Sequence, residues 1–290
     1  MQSYLHIVKE ILDTGLERDN RTGVDSLAIA GAMFKHEMSE GFPLVTTKKM
    51  PFKVIATELE FFIKGLTDKK WLQDRKNHIW DEWANPEKAP YGHSEEEKKK
   101  MMEERDLGAV YGFQWRHFGA EYDNFDTDYT GKGIDQLQYV VDMLKKDPTD
   151  RRMLVSAWNP SAKHKMALPP CHYAFQVVVI KGKLNLLWNQ RSVDTMLGLP
   201  FNIASYGLLL HLLAKESGFK EGRLVGFLGD VHIYKNHIEG AKEQLSRDVN
   251  KYALPKLVTK NFTSIFNWKA EDTTVEGYES YDRIKFDIAV

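Results

Sequence analysis

Val177-Val178-Val179-Ile180-Lys181-Gly182-Lys183-Leu184-Asn185-Leu186-Leu187-Trp188 is the stretch on which the fold class turns. Two apolar, strand-like runs flank Lys181-Gly182, and a two-residue break containing glycine predicts a hairpin. Further on, Ile203 to Ala214 is apolar on nearly every side, which predicts a helix that is buried rather than amphipathic. Outward from this core the elements follow no regular order. Leu5, Val8, Ile11, Leu12 and Leu16 recur at helical spacing, with Gly15 near the end. Ser26 to Met38 has strand-like stretches, and Phe52 to Ile63 predicts a helix closed near Gly65. Ile134 to Leu144 predicts another helix, and Met153 to Trp158, Arg223 to Phe227 and Leu257 to Thr259 read as short strands. Tyr234 to Leu245 reads as a helix between the last two. Strands and helices without βαβ alternation or an internal repeat indicate an α+β fold.

With 290 residues and 42% hydrophobic content, the chain can bury one large core, so 1–290 is expected to be a single domain. Residues 85 to 106 are highly charged, centred on Glu95-Glu96-Glu97-Lys98-Lys99-Lys100, and predict a solvated helix on a surface insertion. Residues 117 to 133 are acidic and Tyr-rich and read as a loop. A net charge of -1 offers no global field to attract nucleic acid or an anionic membrane. No apolar run approaches the roughly 18 residues of a membrane span, and the first residues lack a signal-peptide pattern. A lone cysteine fits a reducing compartment, so a cytoplasmic protein is expected. Neither CxxC nor HExxH spacing is present, so no metal is expected, and no GxGxxG or Walker loop occurs.

The single cysteine, Cys171, sits in Leu168-Pro169-Pro170-Cys171-His172. A lone cysteine is more often a small packed residue than a reactive one. A nucleophilic sulfur needs a nearby cation and a fixed approach; here two prolines stiffen the lead-in, and Asn189-Gln190-Arg191-Ser192 supplies an arginine about twenty residues on. Arg21, Arg151, Arg152 and Arg191 come from three distant segments and, with the Ser192 hydroxyl, suit a phosphate cradle. Any one of them alone suits a surface ion pair. Asn202 stands at the start of the apolar helix, where a cap explains it. Its amide also matches a ring presenting N–H beside C=O, as uracil does. In Gly229-Asp230-Val231-His232-Ile233-Tyr234 the alternate polar residues share one strand face. Glu58, within an apolar helix, is a candidate buried carboxylate with a raised pKa.

In order along the chain, these segments closely resemble the thymidylate synthase family. The matching runs are Asn20-Arg21-Thr22-Gly23, Gly41-Phe42-Pro43-Leu44-Val45-Thr46-Thr47-Lys48-Lys49, Ile79-Trp80-Asp81-Glu82-Trp83, Tyr111-Gly112 and Asp150-Arg151-Arg152. They continue with Pro170-Cys171-His172, Gln190-Arg191-Ser192-Val193-Asp194, Leu197-Gly198-Leu199-Pro200-Phe201-Asn202-Ile203-Ala204-Ser205-Tyr206, Gly229 to Tyr234 and Ala289-Val290. The resemblance implies a large mixed sheet with flanking helices, a sheet-to-sheet homodimer, dUMP as substrate and 5,10-methylenetetrahydrofolate as one-carbon donor. It implies that Cys171 adds to C6 of the uracil. Arg21, Arg191 and Ser192 would hold the phosphate, with Arg151 and Arg152 reaching in from the partner. Asn202 would read the base, and His232 and Tyr234 the sugar. Glu58 and Tyr111 would manage protons, and Trp80 would belong to the catalytic set. Asp194 would bond the folate ring; Ile79, Trp80, Trp83, Leu197, Gly198 and Phe201 would form its apolar bed, and Val290 would close over it.

The chain departs from that pattern at Leu59-Glu60-Phe61-Phe62, at Asn189, at Ala109 and at Leu228-Gly229-Asp230. Glu60 and Asn189 resemble features of the related phage pyrimidine hydroxymethylases, in which water adds to the intermediate. A dUMP hydroxymethylase is therefore the alternative, and a scaffold that binds nucleotide without turnover the third reading.

Overall fold

The computed structural model describes residues 1–19 and 23–287; Asn20, Arg21, Thr22, Ile288, Ala289 and Val290 lie outside it. The phosphate role expected of Arg21 and the closing role expected of Val290 therefore fall outside the described residues. Six strands form one mixed sheet: β1 (Leu16–Arg18), β2 (Ser26–Glu37), β3 (Leu154–Ser156), β4 (His172–Ile180), β5 (Lys183–Asp194) and β6 (Lys220–Tyr234), in the order β1-β2-β6-β5-β4-β3. Neighbours run antiparallel except β5 and β6. The antiparallel β4–β5 hairpin turns through Lys181 at φ 48° and Gly182 at φ 73°, the two positive angles a tight primed turn demands. The parallel β5–β6 pair needs a crossover, and α7 (Gly198–Ser217) provides it.

Leu184, Leu186, Trp188 and Gln190 alternate as buried residues along β5. α7 packs against this side, with Leu208, Leu209, Leu210, Leu212 and Leu213 all fully buried. Each such leucine contributes about 1.5–3 kcal/mol relative to an exposed one. Gly226 seats the Trp188 indole: a Cβ there would lie 2.4 Å from the ring. α2 (Phe52–Ile63) is buried on most sides and packs on α7 and α5 (Tyr111–His117). Among the described residues, the opposite face of the sheet is largely uncovered. Met33, Phe227 and Asn189 are direct cross-strand neighbours there, and Met33 and Phe227 remain 45% and 39% exposed.

Several expected boundaries move. α7 begins at Gly198, so Asn202 lies in its second turn and is not a cap. The strand at Arg223–Phe227 is part of a strand of 15 residues, and Tyr234 closes it rather than opening a helix. The helix expected there is α8 (Ile238–Ser246). Completing the helices are α1 (Gln2–Thr14), α3 (Lys70–Gln73), α4 (Glu95–Glu103) and α6 (Gln136–Lys146); β7 (Lys256–Thr259) and β8 (Thr273–Glu276) form a separate ribbon. α4 lies in the charged insertion, starts with a Ser94–Glu97 capping box and carries a Glu96–Lys100 pair at 2.7 Å. The insertion is not wholly solvated, because Met101 is buried with Ala84 and Ala89 in a small core of their own. Among the described residues, no helix is long and apolar enough to cross a membrane.

Candidate active site

Cys171 is half-buried, just before β4. Its backbone is tied on both sides: the N–H donates to Tyr111 Oη at 2.8 Å, and the carbonyl accepts from Arg191 N–H at 2.8 Å. Proline cannot donate, but its carbonyl accepts, and both carbonyls of the lead-in are used. Arg191 Nε donates to Pro170 O at 2.9 Å and Nη2 to Pro169 O at 2.7 Å. These bonds aim the guanidinium at the sulfur, leaving Nη2 4.0 Å from Cys171 Sγ.

An aromatic layer supports this corner. Tyr111 stacks between Phe62 at 4.9 Å and His172 at 4.3 Å, contacts worth about 0.5–1.5 kcal/mol each beyond burial. The Trp80 ring meets Tyr111 edge-on at 6.1 Å, and its indole N–H donates to Glu58 Oε1 at 2.8 Å. Burial pushes the Glu58 carboxyl up to about 7, opposed by the indole bond. Burial pushes His172 down to about 3, so its ring is neutral at pH 7; Nδ1 lies 2.9 Å from Tyr206 Oη. Tyr111 is held well above its ordinary value by burial and by the neighbouring Cys171. A carboxyl that titrates near neutrality beside a hydroxyl that stays protonated is the pairing proton transfer needs.

The other wall comes from β5 and α7. Gln190 Nε2 donates to Asn202 Oδ1 at 3.0 Å and to Ser192 O at 3.1 Å, while its Oε1 accepts from the Trp188 indole at 3.1 Å. Gln190 thus fixes the Asn202 amide. Gly198 lies between Asp194 and Asn202: a Cβ there would make ordinary contacts, 3.7 Å from Asp194 Cβ and 3.8 Å from Asn202 Oδ1. Asp194 Oδ1 accepts from the N–H of Met196 and of Leu197, each at 3.1 Å. His232 pairs with Asp194 across β5–β6, and its ring meets Tyr234 edge-on at 5.2 Å. Its Nδ1 is 3.1 Å from Asp230, which also pairs with Arg18 at 2.8 Å.

The sequence-derived site residues are thus largely drawn together. Cys171, Arg191, Tyr111, Trp80 and Glu58 are linked by direct contacts; Asn202 is tied to Gln190, the neighbour of Arg191 in the chain, and Gly198 lies between Asp194 and Asn202. Leu197, Gly198, Phe201 and Trp83 are partly buried, and Ile79 is exposed. Trp83 stacks on Tyr91 of the insertion at 5.9 Å, and with Trp158, Pro169 and Arg191 they line a cleft of about 450 Å³.

Arg151 and Arg152 are not drawn in. Both are exposed in the turn before β3; Arg152 faces Asp150 at 3.3 Å, and Gln176 holds the Arg151 carbonyl. Ser192 is partly buried on β5 beside Arg191. Glu60 faces away from the thiol: its Oε2 accepts from Ala270 N–H at 2.9 Å and its Oε1 lies 3.6 Å from Lys64. Asn189 sits on the uncovered sheet face, opposite in sense to Trp188 and Gln190. Gln190, Phe62 and Tyr206 had no assigned role from sequence. A polar residue on the buried alternation of an apolar strand was the signal for Gln190.

The family model described as thymidylate synthase matches residues 2–290. A bifunctional dihydrofolate reductase-thymidylate synthase of Paramecium tetraurelia is 42% identical over 287 residues, covering 99% of this chain; the chain spans 61% of that protein. A thymidylate synthase of Homo sapiens is 44% identical over 291 residues, covering 99% of this chain and 90% of the human protein. The chain belongs to the thymidylate synthase family.

Proposed function

We propose that this chain is a single catalytic domain that converts dUMP to thymidylate with 5,10-methylenetetrahydrofolate. The observation that carries the reading is Cys171, tethered at both backbone ends and faced by Arg191 at 4.0 Å. A positive charge there lies where a sulfur nucleophile needs it. Addition of the sulfur to C6 of the uracil makes C5 nucleophilic and divides a hard substitution into easier steps. Asn202, held by Gln190, offers its amide to the base. Glu58 and Tyr111 move the protons, including the one lost from C5, before the sulfur is eliminated. The folate, when bound, supplies the one-carbon unit and the hydride. Ile79, Trp80, Trp83, Leu197, Gly198 and Phe201 fit its flat aromatic rings, with Asp194 at the edge for ring N–H groups.

His232 and Tyr234 take the sugar hydroxyl, and Arg191, Ser192 and Arg21 the phosphate. The uncovered apolar sheet face supports a face-to-face homodimer, in which Arg151 and Arg152 serve the partner's site. The lone thiol fits a cytoplasmic enzyme, and nothing in its charge calls for nucleic acid. The test is to incubate the protein with dUMP and methylenetetrahydrofolate and identify both products. Thymidylate with dihydrofolate is expected; hydroxymethyl-dUMP with tetrahydrofolate would replace this reading by hydration.

A further inference from the structure

Lys69 is 1% exposed, and a buried ammonium is tolerated only where its donors are matched. Here they are. Its Nζ donates to the carbonyls of Asp81 at 2.8 Å, Trp83 at 2.9 Å and Met101 at 2.5 Å. Three protons meet three carbonyl oxygens, and the charge is neutralised by dipoles rather than by a carboxylate contact.

The identity of those carbonyls gives the arrangement its meaning. Asp81 and Trp83 belong to the loop that carries Trp80, the donor to Glu58. Met101 lies in the last turn of α4, where helix carbonyls lack intrahelical partners. One side chain therefore caps the insertion helix and grips the loop beneath the expected folate bed. The loop is held by other bonds too: Gln73 Nε2 donates to Asp81 Oδ1 at 2.9 Å, and Asn85 N–H donates to Asp106 O at 2.7 Å. The lysine's own N–H reaches Arg105 O at 3.0 Å. On the far side, Tyr91 of the insertion stacks on Trp83.

We propose that Lys69 is a positioning residue for the reaction, locking the charged insertion onto the Trp80–Trp83 loop so that the insertion helps shape the folate bed. The inference rests on the synthase reading above, and concerns the folate side of the site and not the nucleotide side. Burial presses Lys69 down to about 8, in keeping with an ammonium held by neutral dipoles.

The test compares Lys69→Met and Lys69→Arg with the unaltered enzyme. If the unaltered enzyme makes no thymidylate, the synthase reading fails and Lys69 is not the cause. Given activity, Lys69→Met is expected to raise KM for methylenetetrahydrofolate roughly ten- to hundredfold, the scale of an ångström-sized displacement. Its dUMP affinity by calorimetry should stay within about twofold. Lys69→Arg, which keeps charge and donors, should recover part of the loss. A folate KM unchanged in Lys69→Met overturns the proposal, as does equal loss of folate and dUMP binding, which would mean general destabilisation. Should Lys69→Met fail to fold, Lys69→Gln, with a shorter reach and no charge, is read by the same two measurements.

Discussion

On the proposed function, the pyrimidine end of the site and its phosphate end are built on different terms. At the pyrimidine end each reactive group is fixed by a neighbour in the same chain: Cys171 by Tyr111, Glu58 by Trp80, Asn202 by Gln190. At the phosphate end the order loosens. Arg191 is committed in part to the Pro169 and Pro170 carbonyls, and the Arg152 side chain is 85% exposed. Bond-making requires reacting atoms placed within fractions of an ångström. Gripping a phosphate depends on charge, which falls off gradually with distance. In the proposed homodimer a chain would complete the first alone and leave the second to be finished by another copy, which would make activity conditional on assembly.

Removing the sulfur should break the pyrimidine end outright. Cys171→Ser is expected to lower kcat by on the order of 10⁴-fold or more, since a hydroxyl without an adjacent base is a far weaker nucleophile. Dihydrofolate formation followed by absorbance, with dUMP binding by calorimetry, checks it. Retained turnover in this variant would remove covalent addition from the mechanism.

Glu58→Gln comes next, at about 10²–10³-fold in kcat, the range of one acid–base group. Its pH signature is more telling than its size. With a carboxyl near 7, kcat of the unaltered enzyme should inflect near that pH, and the inflection should vanish in Glu58→Gln. The stability consequence has a definite sign. The folded state holds this proton to higher pH than the unfolded chain does, so stability falls as pH rises from the ordinary carboxylate range through about 7. Thermal unfolding across that window should lose that part of its slope in Glu58→Gln.

The phosphate end should give way more gently. Arg151→Ala is expected to raise the KM for dUMP roughly ten- to hundredfold, the value of a charge-assisted hydrogen bond. Mixing sharpens the contrast. Refolding Arg151→Ala together with Cys171→Ser in equal amounts should restore about a quarter of native sites if each site borrows an arginine from its partner. No recovery on mixing would place Arg151 and Cys171 in the same protomer's site, or in none.

How legible each end was in the sequence follows from the same difference. Groups acting through short local runs, such as Pro169-Pro170-Cys171 and Gln190-Arg191-Ser192, could be named directly, and the structure brings them together. Features created by long-range packing were not. β6 looks like a short strand because Gly222 and Gly229 bound its apolar stretch, and Gly226 within it is what leaves room for Trp188. Asn202 looked like a cap because the apolar run starts after it, whereas α7 already begins at Gly198. The charged insertion looked solvated because Lys69 satisfies itself on backbone carbonyls, which leave no mark in a sequence.

The smallest expected effect concerns Glu60, which together with Asn189 carries the resemblance to the hydroxymethylases and so the alternative of hydration. Residues two apart on a helix point about 200° apart, so Glu58 and Glu60 cannot serve one site. Glu58 turns to Trp80, and Glu60 to the backbone N–H of Ala270. Glu60→Ala should leave thymidylate as the product and kcat within about twofold, because it touches nothing that orients the base. It should instead lower stability by about 1 kcal/mol, the consequence of stripping a partly buried N–H of its acceptor, measured by denaturant unfolding. A change of product in Glu60→Ala, with stability intact, would mean that this carboxylate acts at the pyrimidine end after all, and the separation of the two faces of α2 would no longer explain the chemistry.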